Sequence, residues 1–486
     1  MGIGPLEGNP GVASQPLSSA FPPLIGQISG YDVGPSLSGR QIAELAGRIR
    51  EKRMLTRLET ENFKAFGERV SFDLRPITVL IGANGSGKSS LLEAIGLLSQ
   101  NATRPEGTPE FKWKDQHVDL GTSGSSAFHK PDHDLHLSLS VELEAGDYFR
   151  NWLRKHNHDS DAEAATLGYS VGHRRGSEEW KHQLIVNGEA IATNSTMPLG
   201  RGLIKKGHGA LLECAPSHLS ERMFEPVASG PAVLSPKLFM GTQAIGGQAV
   251  NEPMHHRFLT YGLYTSYVAG YLGRRVFMIG PNRLPTREAP RADSAPLNVG
   301  RRGERTITVL SAMFASPRHL AQSKKIQQWA QVFGLGSLTS GWVMEELLHA
   351  GYLDSDFETP LGFESAGCGA QQILPIITQI FAAPANSVIL IEEPEAGLHP
   401  QAQRELTKML CDAVAHGLQL VITTHSETLL KALAESTESN HLRREDLVIY
   451  QMAKSPSGAR PERVQVQGQR ETLAKVTGAS AGRLSA

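Results

Sequence analysis

The octapeptide Gly82-Ala83-Asn84-Gly85-Ser86-Gly87-Lys88-Ser89 fits the pattern G-x-x-x-x-G-K-[ST] in full. Its residue types suit the grip of a triphosphate. Glycines let the backbone wrap closely around phosphate oxygens and aim N–H groups inward, and a helix starting at Lys88 would add the positive end of its dipole. Lys88 supplies a cation to the β- and γ-phosphates, and Ser89 offers a hydroxyl to Mg²⁺. The expected nucleotide contacts are Gly82, Asn84, Gly85, Ser86, Gly87, Lys88, Ser89 and the adjoining Ser90.

A second constellation lies three hundred residues on. The apolar run Val388-Ile389-Leu390-Ile391 ends in Glu392-Glu393-Pro394. Acids delivered at the carboxyl end of a buried strand sit where ligands gather in open α/β sheets. Successive side chains on a strand point oppositely, so the two acids need not share a role. Glu392 is assigned to Mg²⁺, through water, and Glu393 to activating or positioning the attacking water. The next apolar strand, Leu420-Val421-Ile422, closes on Thr423-Thr424-His425. His425 could hydrogen-bond the γ-phosphate there, although a lone histidine at a strand end is more often structural.

The elements that must position these groups can be read locally. Leu55 to Glu61 and Val70 to Leu74 read as strands joined by Asn62–Gly67, and Pro76 opens a third strand over Ile77 to Ile81. That third run is almost unbroken in apolar character, as suits a strand buried on both faces. A helix is expected over Lys88 to Ser99, with Leu91, Leu92, Ile95 and Leu98 as its buried stripe. A helix after Gly369, strands at Val388–Ile391 and Leu418–Thr423, and helices through Leu406–Ala413 and from Ser426 complete the alternation. Such alternation argues for an α/β fold with a mainly parallel sheet covered by helices.

Composition excludes little. The chain has 486 residues and a formal net charge of −1, so nothing global demands nucleic acid or an acidic membrane. Its three cysteines, Cys214, Cys368 and Cys411, lie far apart without metal-ligand spacing, which fits a reducing cytosol. No apolar run is long enough to span a bilayer, and the N-terminal stretch does not read as a signal peptide, so the expected compartment is cytoplasmic.

With these residues in place the chain resembles the ABC-type P-loop ATPases of the SMC, Rad50, RecF and OLD groups. The resemblance is carried by Asn62-Phe63-Lys64-Ala65-Phe66, by Glu392-Glu393-Pro394-Glu395-Ala396-Gly397-Leu398-His399-Pro400, and by Thr424-His425-Ser426. The acidic form is similar to the OLD-like AAA15 or AAA21 branch. So are Val118-Asp119-Leu120-Gly121, Gly280-Pro281-Asn282-Arg283 and Gly367-Cys368-Gly369-Ala370-Gln371-Gln372-Ile373-Leu374-Pro375. The resemblance implies a head-like mixed sheet flanked by helices, with an inserted, mostly helical subdomain. It implies ATP and Mg²⁺ as cofactors and an ATP sandwich formed by a homodimer or higher oligomer. Ser365, Gly367 and Gly369 would be the signature that contacts the γ-phosphate held by the other protomer. Leu398-His399 would lie on the dimer seam, and His425 would be the switch histidine. Lys64 is a candidate for the adenine side, and Gln116 or Gln100 for the Q-loop. Many relatives carry a TOPRIM nuclease, but the stretch after His425 is short for one, so a stand-alone ATPase is expected. The implied role is DNA repair or anti-phage defence with a separate effector, a nuclease or toxin. A scaffold or sensor with little turnover is the rival.

The expected plan is an arm over 1–36, a short helix over 37–53, an N-terminal ATPase lobe over 54–145 and an insertion or lid over 146–270. A C-terminal ATPase lobe over 271–440 follows, then a strand and polar tail over 441–486. Arg274 to Arg305 holds eight arginines against Glu288, Asp293 and Glu304, which makes DNA a candidate partner. A solvated surface, or arginines turned toward the nucleotide or a second subunit, is the favoured reading of that stretch. His129, His133 and His136 with Asp132 and Asp134 read as a solvated loop rather than a metal site.

Overall fold

A computed structural model describes residues 54–102, 112–120, 136–144, 166–174, 180–186, 189–195, 271–283, 288–290, 297–344, 347–354 and 358–464. All of them belong to one compact unit, Lys52–Ala486. The expected arm, the short helix that follows it, and His129 and His133 of the histidine cluster lie outside the described residues.

The central sheet has the strand order β16-β15-β3-β14-β13-β8. Its strands are β3 (Ile77–Gly82), β8 (Val276–Ile279), β13 (Val388–Glu392), β14 (Gln419–Thr423), β15 (Leu447–Ser455) and β16 (Gly458–Val464). Five run parallel, and β16 returns antiparallel along β15 at the edge. Residues of β13 and β14 are buried throughout, as their unbroken apolar runs require.

The two faces of this sheet divide by the strand period of two. Leu80, Val388, Leu390, Val421 and Val448 join one core cluster, whereas Ile77, Val79, Ile389, Ile391, Leu420 and Ile422 join the other. The first face packs on α1 (Lys88–Ala102) and, beyond it, on β1 (Leu55–Glu61) and β2 (Val70–Asp73) through Leu55, Leu58 and Phe72. The second face carries α2 (Thr306–Ala315), α3 (Leu320–Val332), α4 (Cys368–Ala382), α5 (Pro400–Ala415) and α6 (Glu427–Glu438). Gln419 fastens the layers together. Its buried amide accepts from Leu55 N and donates to Leu55 O, both at 2.8 Å.

A second sheet is wholly antiparallel, in the order β2-β1-β4-β5-β6-β7, with β4 at His136–Glu144. Within the stretch expected as a mostly helical insertion, the described residues form strands. These are β5 (Thr166–Arg174), β6 (Trp180–Val186) and β7 (Glu189–Ser195), which continue the sheet begun by β1 and β4. The rest of that stretch lies outside the described residues. A third sheet pairs β11 (Leu347–Leu353) with β10 (Ser337–Met344), β12 (Pro360–Gly362) and β9 (Glu288–Pro290). The C-terminal part holds the two strands β15 and β16 where one was expected.

Candidate functional site

Strand β3 ends at Gly82 and α1 begins at Lys88, so the glycine loop joins a buried strand to a helix N-terminus. Gly82, Gly85 and Gly87 have φ of +143°, +73° and +100°. At two of these positions a side chain would also collide with a neighbour. A Cβ on Gly82 would stand 2.5 Å from Met452 O, and one on Gly87 would stand 2.8 Å from Ala459 Cβ and 3.0 Å from Ala65 Cβ. The loop is therefore shored up from behind by the β15–β16 hairpin and by the Asn62–Gly67 turn. Its front is open: Ala83, Asn84 and Gly85 are exposed. Ser86 and Ser90 are buried.

Lys88 folds back over this loop, donating from Nζ to Gly82 O at 2.9 Å and Ala83 O at 3.0 Å. Burial lowers the pKa of its ammonium, while Glu393 and Glu395 act in the opposite sense. Ser89 Oγ donates to Glu392 Oε2 at 2.7 Å. The other oxygen of Glu392 accepts from Arg301 Nη2 at 3.0 Å. Arg301 also lies 3.6 Å from Glu93, which is paired in turn with Lys64. A hydroxyl and a carboxylate in contact form a hard, oxygen-only donor set that fits Mg²⁺.

Glu393 sits in the left-handed region at φ +45°, where few non-glycine residues rest. Its N–H donates to Thr423 O at 3.0 Å, and its half-exposed carboxylate lies 3.9 Å from His425 Nε2, beyond hydrogen-bond reach. Glu395 fixes the switch turn instead. Its Oε1 accepts from Thr424 Oγ1 at 2.6 Å and from His425 N at 2.9 Å. The structure thus brings together Lys88, Ser89, Glu392, Glu393 and His425.

Ser365, Gly367 and Gly369 are grouped elsewhere. Ser365 ends a short 3-10 turn, Gly367 is the N-cap of α4, and Gly369 lies in its first turn. Ser365 and Gly367 are exposed. Gly369 packs so closely on the 396–399 turn that a Cβ there would stand 2.5 Å from Gly397 O. His399 caps α5, accepting from Gln401 N at 3.4 Å. Gln403 of α5 donates to Leu398 O at 2.8 Å and bonds Ser426, the N-cap of α6.

Two family models match the chain. Residues 54–163 match the "AAA ATPase domain", and residues 263–431 match the "AAA domain, putative AbiEii toxin, Type IV TA system". This chain is an AAA-type P-loop ATPase. No curated protein matches it. Similar solved structures include the SMC head domain from Thermotoga maritima, at 10% identity and a TM-score of 0.37, covering 84% of this chain and 98% of that one. An SmcHead bound to the C-winged helix domain of ScpA has 12% identity and a TM-score of 0.42, covering 85% and 98%. An Smc head domain with an extended coiled coil, bound to the C-terminal domain of ScpA derived from Pyrococcus furiosus, has 10% identity and a TM-score of 0.41, covering 88% and 100%.

In this AAA ATPase several structural contributors were not assigned a role by sequence. Arg283 is fully buried and donates to Gly280 O, Gln372 O, Glu392 O and Glu393 O at 2.7 to 2.9 Å. Burial pulls its pKa down to about 10 against the opposing pull of Glu395, Glu393 and Glu392. The G-P-x-R element was the signal that could have found it. Arg301 had only the arginine-rich stretch that could turn toward the nucleotide as its signal, and Glu93 had none. Of the basic stretch, Arg287 and Arg291 lie outside the described residues; Arg283 and Arg301 turn inward and Arg275 donates to Ala385 O at 3.1 Å, whereas Arg274 and Arg302 are exposed. Gln100 is also structural, donating to Lys112 O at 2.6 Å and accepting from Val118 N at 3.1 Å. Gln116 is exposed, near Asn298. No cluster of three or more His, Cys, Asp or Glu side chains that could hold a metal occurs among the described residues, and no helix among them is long and apolar enough to cross a membrane.

Proposed function

We propose that the chain binds ATP with Mg²⁺ and hydrolyses it to ADP and phosphate as one half of a head-to-tail pair. The observation that carries this reading is the Ser89–Glu392 hydrogen bond beneath the open glycine loop. It joins the two sequence-distant halves of a metal–nucleotide site. The loop amides and Lys88 would hold the β- and γ-phosphates, and the α1 dipole would favour their charge. Ser89 and Glu392 would hold the metal, which when bound neutralises charge on the phosphate oxygens. Glu393 would orient the attacking water and take its proton, while His425 meets the γ-phosphate.

Ser365, Gly367 and Gly369 contribute from the other protomer. The exposure of Ser365 and Gly367 at the N-terminus of α4, a ready anion site, supports a role across a seam. The closed pair would act on a separate effector, a nuclease or toxin, or on DNA. Family resemblance carries that role, and the toxin in the matched family's description favours defence over repair.

The test uses two variants. Lys88→Ala should abolish ATP binding in equilibrium titration. Glu393→Gln should bind ATP, turn over about 10²- to 10⁴-fold more slowly, and accumulate as a dimer in sedimentation. Normal hydrolysis by Glu393→Gln would remove the assignment of the base. A wild-type chain that stays monomeric with saturating ATPγS would remove the pair.

A further inference from the structure

We infer that Arg283 is a positioning residue that couples the signature helix to the water-activating glutamate of the same protomer. The inference rests on the paired reading above and deepens it. A fully buried arginine is unusual, because desolvating a guanidinium is costly unless its donors are met. Here the partners are backbone carbonyls from three elements. Nε donates to Gln372 O in α4, Nη1 to Gly280 O after β8 and to Glu392 O of β13, and Nη2 to Glu393 O. The Gln372 side chain returns the contact, its Oε1 accepting from Arg283 N at 3.1 Å.

Two consequences follow from where those carbonyls sit. Glu393 is held at φ +45°, a conformation that persists only when its surroundings fix it. Its own N–H is held by Thr423 O, and its carbonyl accepts both from Arg283 and from Ala396 N at 3.1 Å, so the guanidinium is the one side-chain clamp on that carbonyl beside the backbone bonds of the turn. Gln372 stands three residues after Gly369, on the helix whose first turn would touch the nucleotide of the other protomer. A shift of α4 on meeting that γ-phosphate passes through one rigid planar group to Glu393. Each protomer then aligns its own base in response to the nucleotide its partner carries.

Arg283→Lys and Gln372→Ala test this. Lysine cannot reproduce the fork, and alanine cuts the α4 end of the link while keeping Arg283. Nucleotide affinity, ATP-driven dimerisation, kcat and the Hill coefficient of hydrolysis would be measured for each against wild type. Arg283→Lys should keep its nucleotide affinity within about twofold and still dimerise, with kcat down about 10²-fold, the effect of a misplacement near 1 Å. The Hill coefficient should fall toward 1. Gln372→Ala should move kcat and the Hill coefficient in the same direction by less, and it carries the test if Arg283→Lys does not fold. Unchanged kcat and cooperativity in a folded variant would overturn the coupling. Failure of the wild type to dimerise with ATP would overturn the paired reading first, and the coupling with it.

Discussion

Replacing Arg301 with glutamine should tighten the response to Mg²⁺ while weakening the metal-free protein. Arg301 lies 3.0 Å from Glu392 in an ion pair whose side chains are 30% and 7% exposed. In that setting a hydrogen bond between charged groups contributes about 1.5–3 kcal/mol. Glu392 must release Arg301 before that oxygen can face a metal or its bound water, whereas Ser89 can keep its O–H on the other oxygen. The arginine therefore competes with the metal by about its own pairing energy, and removing it should lower the half-saturating Mg²⁺ by about 10- to 150-fold. Glu93 keeps Lys64 and should not be stranded. Titrating Mg²⁺ at fixed ATPγS, with thermal unfolding as the readout, measures both effects at once. Without metal, Arg301→Gln should unfold earlier. With metal, it should recover at lower Mg²⁺ than the wild type, and Arg301→Lys should fall between. A folded Arg301→Gln protein needing equal or more Mg²⁺ would refute the competition and make Arg301 a helper of phosphate binding.

Two further outcomes are expected. Gly369→Ala places a methyl group 2.5 Å from Gly397 O, so it should push the 396–399 segment away from its place at the proposed seam. ATP-dependent dimerisation should weaken about tenfold or more, with single-protomer ATP affinity unchanged in titration. Burial, aided by Arg305 and opposed by Asp115, drops the His117 pKa from the usual 6.5 to about 4. The unfolded chain therefore takes up a proton near pH 6.5 that the folded chain refuses until about pH 4. Stability from this group should fall as pH falls through that window, by about 3 kcal/mol. Denaturant unfolding at pH 7 and pH 4.5 should show a smaller difference for His117→Asn.

The parts of the fold that could be read from sequence were those whose cause is local. Val388–Ile391 and Leu420–Ile422 are apolar at every position, and Ile77–Ile81 at every position but Thr78, because both faces of those strands are buried, and that pattern needs no knowledge of neighbours. Ser426 caps α6 through Leu429 N, a start signal readable within four residues. The glycine loop and the paired glutamates were legible for the same reason. Arg283 and Arg301 were not, because, Gly280 O apart, the partners of Arg283 lie 89 to 110 residues away and Glu392 lies 91 from Arg301. The antiparallel run through β5–β7 was not read, although Leu167, Tyr169 and Val171 of β5 alternate with small or polar residues at strand spacing.

The strand that delivers the glycine loop has both of its neighbours late in the chain: β14 at Gln419–Thr423 and β15 at Leu447–Ser455. At translation rates of about 5–20 residues per second, β3 waits roughly 20–70 s between its own emergence and that of β15. Throughout that interval its apolar flanks and unpaired backbone edges have no native cover. The nascent polypeptide should therefore lean on holdase chaperones, and any prematurely terminated product would be inert toward nucleotide. The sheet around the glycine loop is therefore completed only late in synthesis.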